Sequence, residues 1–170
     1  MTAARRLAMR RRVPLLAGLL LIAAARPAVA QRIYYRLVRG AVTALELRRA
    51  DAIGPSERAM IAGGGIPPGA ALDSVEAGAP VAIIVASQGG GCGRPGPVRV
   101  ESRGNTLTLR VSDYVVRNLN VSCPRDRRLH VRTVRQVFRR PGTQVITAIG
   151  TPGSVITRTL TVLPRRRAPR

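Results

Sequence analysis

The chain has 170 residues, with 29 basic and 8 acidic side chains, a formal net charge of +21 and a pI near 12.0. That length allows one domain with room for a leader, and 45% hydrophobic residues exclude a disordered polyelectrolyte. One His, two Cys, no Trp and 2% aromatics leave little material for metal centres, acid–base catalysis or ring-stacking sites.

Residues 1–30 read as a cleaved secretory signal peptide. Arg5, Arg6, Arg10, Arg11 and Arg12 precede an apolar run from Val13 to Ala25, and Ala28-Val29-Ala30 has the small-x-small form of a cleavage site. The apolar run is shorter than the roughly 20 residues needed to span a bilayer, so no transmembrane segment is expected in the mature chain. The mature chain then starts at Gln31 and carries 23 Arg against 8 acids, a net charge of +15. There is no Lys anywhere, so the excess reads as partly compositional and not as a phosphate-selected surface. Export makes nucleic acid an unexpected partner. It leaves an envelope protein or an anionic polymer, in the periplasm or outside the cell.

Residues 31–70 form an N-terminal segment of uncertain structure and linker. Ile33 to Val38 is strand-like. Ala41 to Ala50 fits either a short helix, with Val42, Leu45 and Arg49 at helical spacing, or a strand with Leu45 and Leu47 on one face. Gly63-Gly64-Gly65 and Pro67-Pro68-Gly69 read as a loop, and no Lys-Ser/Thr pair follows to make it a phosphate loop.

Residues 71–163 read as a β-sandwich domain. Val81 to Ala86 is a continuous apolar run suited to a strand buried on both sides. Gly104-Asn105 marks a hairpin that sets Val98 opposite Val111, Val100 opposite Leu109 and Ser102 opposite Leu107, with the apolar residues on one face. The same register sets Arg99 opposite Arg110, an unfavourable pair that Glu101 softens. Arg128 to Val134 alternates, with Leu129 and Val131 expected inward and His130 outward. Thr143 to Ile149 and Val155 to Leu163 are the last two strands. Residues 164–170 read as a basic disordered tail, whose Arg165, Arg166 and Arg167 would hold an anionic surface weakly.

Cys92 and Cys123 are the only cysteines, and in an exported chain an even count reads as a disulfide. Free thiols or metal ligands are the alternatives; the single His makes a four-ligand zinc site hard to assemble.

Pro141-Gly142-Thr143, the alternating strand after it, the Pro152-Gly153 turn and the Thr-rich final strand resemble the last hairpin of bacterial immunoglobulin-like domains. Cys92, a strand, a Gly-Asn turn, a strand and then Cys123 are similar to small secreted domains of that kind. The resemblance covers about residues 75–163. Gln144 stands where such domains often carry an aromatic residue. It implies an all-β, antiparallel immunoglobulin-like sandwich with one disulfide, and no particular activity.

No catalytic residue, cofactor or metal is expected. Ser122 and Asp126 lie near His130 but belong to no recognisable nucleophile motif. Glu101 and Asp113 are better suited to ion pairs with Arg than to a glycosidase pair. The remaining candidate is a cationic patch of Arg125, Arg127, Arg128, Arg132, Arg135, Arg139 and Arg140, able to grip carboxylate or phosphate if the residues share a face. The function expected is therefore a non-enzymatic exported envelope protein, a binding or structural module. A cationic binder of anionic envelope polymer or lipid headgroups is the alternative, and an envelope hydrolase ranks third.

Overall fold

The computed structural model describes residues 34–117, 122–124 and 126–165, so the expected signal peptide and most of the expected tail lie outside the described residues. In chain order the strands are β1 (Tyr35–Arg39), β2 (Ala41–Arg49), β3 (Ser74–Glu76), β4 (Pro80–Gly90), β5 (Arg94–Arg103), β6 (Thr106–Val116), β7 (Arg127–Val137), β8 (Gly142–Ile149) and β9 (Val155–Leu163). Between β2 and β3 lie a 3₁₀ turn (Ala50–Ala52) and a helix α1 (Pro55–Ala62). Among the described residues no helix is long and apolar enough to cross a membrane.

Two sheets enclose one main core. The small sheet runs β2-β4-β7, antiparallel throughout. In the large sheet β6 is the hub: β5 pairs along one edge, while β8 and β1 share the other, at Thr106–Arg110 and Ser112–Val116. β9 follows β8, and β3 closes the sheet. Leu45, Leu47, Val81, Ile83 and Val85 of the small sheet pack against Leu107, Leu109, Val111, Ile146 and Leu160 of the large one.

The large sheet is not purely antiparallel as expected: β6–β8 and β3–β9 are parallel pairs. Between β6 and β8 the chain crosses to the small sheet as β7 and returns. Each crossing reverses its direction, so β8 arrives running the same way as β6. Hydrophobic alternation reports which face a residue takes, and carries no record of strand direction.

The hairpin β5–β6 has the register read from the sequence: Val98 opposite Val111, Val100 opposite Leu109, Ser102 opposite Leu107. Gly104 turns at φ +57°, a conformation open to glycine without steric cost. Leu107, Leu109 and Val111 are buried, whereas Val100 stays 39% exposed because it sits on an outer strand of the sheet.

Residues 34–70 are not a linker ahead of the sandwich, and no domain boundary falls at residue 71. β1 and β2 each join a sheet. Ala50, Ile53, Ile61 and Ile66 cover the outer face of β4 at Ala82, Ile84 and Ala86. This second layer explains the unbroken apolar run of β4, which is buried on both faces. The Pro-rich loop is tied down by Arg48, whose Nη2 donates to the Pro67 carbonyl at 2.8 Å.

Candidate functional site

At one end of the sandwich four polar side chains meet in the interior. Ser87 comes from β4, Asp113 from β6, and His130 and Arg132 from β7. Ser87 is 0% exposed, Asp113 3% and His130 6%. His130 had been expected to face outward. It faces inward because β7 belongs to a sheet covered on both sides: Val131 packs into the outer apolar layer, and the polar residues take the inner row. Leu129, expected inward, is 37% exposed.

Asp113 is the centre of the group. Its Oδ2 accepts from Ser87 Oγ at 2.8 Å, and its Oδ1 lies 3.0 Å from His130 Nδ1 and accepts from Arg132 Nη2. Arg132 commits its whole donor set. Nε donates to the Gly96 carbonyl at 2.7 Å, Nη1 to Ser87 Oγ and the His130 carbonyl at 2.9 Å each, and Nη2 to the Ser112 carbonyl at 2.7 Å as well as to Asp113. A guanidinium has five N–H donors, and all five find acceptors here. Gly89 lies beneath the His130 ring and Gly40 beside the Asp113 carboxylate; a Cβ at either position would overlap those side chains. The expected disulfide joins Cys92 and Cys123, with Cα atoms 5.3 Å apart, and ties the β4–β5 connection to the segment entering β7.

The chemistry of this cluster follows from its order. A hydrolytic relay needs an imidazole between hydroxyl and carboxylate, so that the base can take the hydroxyl proton. Here the carboxylate lies between the hydroxyl and the imidazole, and Ser87 points its proton at Asp113 in a closed interior. Ser122 and Asp126, the neighbours of His130 in sequence, are not its partners. Among the described residues no group of three or more His, Cys, Asp or Glu is placed to hold a metal ion.

The arginines expected to form one patch do not share a face. Arg132 turns inward, with a side chain 9% exposed. Arg127 and Arg128 are exposed at the start of β7, and Arg128 pairs with Asp126. Arg135 lies on the opposite row of β7 from Arg132. Arg139 and Arg140 are exposed beyond the far end of the strand. From Arg128 to the end of β7 at Val137 the strand rises over nine residue steps, about 30 Å, and Arg139 lies beyond it. Arg125 lies outside the described residues.

A different set of arginines does converge. On the outer face of the large sheet Arg99 sits opposite Arg110, and Arg39 is opposite Ser112, two residues further along β6. They line a concavity of about 480 Å³ with Leu37, Pro97 and Ile149. A register irregularity between Pro95 and Val98 lies beside it. Arg110 Nε donates to Glu101 at 3.0 Å, and that bond holds the exposed Glu101 carboxyl below the usual range. The sequence carried one signal of this cluster, the like-charged cross-strand pair Arg99–Arg110. Arg39 was missed because it reaches the site from a strand distant in sequence.

No family model, no curated protein and no solved structure matches the chain.

Proposed function

We propose that this protein is an exported, non-enzymatic β-sandwich of the bacterial cell envelope, released from its signal peptide before Gln31, and that it acts as a binding module. The observation that carries this reading is the position of Asp113 between Ser87 and His130. Among the described residues, the one constellation with the residue types of a hydrolase is wired as an internal brace: its hydroxyl is buried and its proton is directed away from the imidazole. The disulfide supports an oxidising compartment, since such bonds persist mainly outside the reducing cytosol.

An immunoglobulin-like character belongs to the same reading. It is supported by two packed sheets and by the final hairpin β8–β9, which opens at Pro141-Gly142-Thr143. The parallel β6–β8 pair departs from the antiparallel sheets of that fold, so the likeness is one of architecture.

The test is a hydrolase screen over ester, phosphoester, glycoside and peptide substrates with the purified, disulfide-intact protein. No turnover is expected. Turnover lost in a folded Ser87→Ala variant would overturn the reading. The mass of the exported protein should match a chain beginning at Gln31.

A further inference from the structure

We propose that the Arg39–Arg99–Arg110 concavity binds a phosphate monoester carried on an apolar group. This deepens the binding-module reading and rests on it.

The first ground is unrelieved charge. Arg99 and Arg110 are directly opposite across an antiparallel pair, where like charges destabilise a sheet. Arg39 joins Arg110 diagonally from the other edge of β6, so Arg99 and Arg39 flank Arg110 from both sides, each rooted within about 8 Å of it. Among the described residues the one acid in ion-pair contact with the trio is Glu101, on Arg110. The cluster therefore holds three positive charges against one negative, a balance that a dianionic phosphate would neutralise.

The second ground is shape and lining. At about 480 Å³ the concavity falls in the size range of small-ligand sites. Guanidinium forks suit phosphate oxygens because they donate two parallel hydrogen bonds. Leu37, 50% exposed, together with Pro97 and Ile149 gives the same concavity an apolar wall. A ligand with a phosphate head and an apolar remainder meets both halves; inorganic phosphate meets one.

The ester could be a soluble organic phosphate or a phosphate-headed lipid, and the experiment separates the two. ¹⁵N-labelled, disulfide-intact protein is titrated with hexyl phosphate and with inorganic phosphate, and sedimented with phosphatidylcholine vesicles containing phosphatidic acid. Saturable shifts are expected at Arg110, Ser112 and Ile149, with hexyl phosphate binding more tightly than inorganic phosphate. Arg39→Gln with Arg99→Gln should weaken hexyl phosphate binding at least about tenfold, since each substitution removes a charge-assisted hydrogen bond to the phosphate. Arg127→Gln with Arg128→Gln should leave it unchanged. Sedimentation with the vesicles that depends on Arg39 and Arg99 identifies the lipid source; its absence beside hexyl phosphate binding identifies a soluble ester. No saturable shift, or binding unchanged in the Arg39/Arg99 variant, overturns the proposal. So does equal affinity for the two phosphates, or loss only in the Arg127/Arg128 variant. Each of these would leave the binding-module reading standing, which falls instead to Ser87-dependent turnover. Both variants alter exposed side chains, and an unchanged melting temperature checks that they fold.

Discussion

Arg132 is one residue on which four strands depend. Its guanidinium joins β7 to Ser87 of β4, Gly96 of β5, and Ser112 and Asp113 of β6. Replacing it with Leu leaves the buried Asp113 carboxylate without its cation and three carbonyls without their donor. Breaking one side of such a pair costs about 3–5 kcal/mol, a loss that urea unfolding would register as a lower midpoint. Replacing Asp113 by Leu in the same chain should restore part of that loss, because the charge left behind is gone. An exposed residue behaves differently. The Glu101 carboxyl is held low by its bond to Arg110. A lowered folded-state value means that the pair contributes to stability above the ordinary carboxylate range, and that the contribution fades as pH falls through the lowered value. A carboxyl ¹³C titration should find Glu101 below the ordinary glutamate range, and Arg110→Ala should return it upward.

At the scale of elements, the open choice between helix and strand at β2 and the misreading of β7 have separate causes. Val42 and Leu45 are three residues apart, a spacing that fits a helix, yet both sit in the main core on β2. Thr43 is an extra residue in a bulge: Val42 pairs with Ser87, and Ala44 already pairs with Ala86. A bulge shifts the two-residue period by one, so a bulged strand and a helical turn read alike. β7 was misread because the small sheet is buried on both faces, and apolar residues there do not mark the side of the core. The hairpin at Gly104-Asn105 was legible, since its turn, register and outward charges agree within a few residues. The buried cluster was not, because Ser87, Asp113 and His130 are joined only by sheet packing. Deleting Thr43 should give a regular β2 in which Val42 still faces Ser87 and Leu45 still faces Val85, both on the core side. Deleting Glu46, by contrast, should put Leu45 and Leu47 on opposite faces. Losing one buried Leu costs about 1.5–3 kcal/mol, and the urea midpoint should drop accordingly with the slope of the transition preserved.

On the scale of the whole molecule, the disulfide and the buried cluster act at the same end of the sandwich. Cys92 follows β4 directly, and Cys123 precedes β7; Gly91 N–H, next to Cys92, also donates to the Asp126 carbonyl at 3.3 Å. The bridge closes a loop with a sequence separation of 31. By loop-closure entropy that loop contributes about 3–4 kcal/mol, chiefly by restricting the unfolded chain. It also holds together the two segments that carry Ser87 and His130 into the interior. Reduction should therefore act in two ways. Global stability should fall by about 3–4 kcal/mol in denaturant unfolding with and without reductant. Amide exchange should rise first at Ser87–Gly93 and Asp126–His130, while the β8–β9 hairpin, whose pairing does not involve the bridged segments, keeps the protection set by global unfolding. A uniform rise across both regions would mean that the bridge acts only on the unfolded chain and does not brace this end of the sandwich.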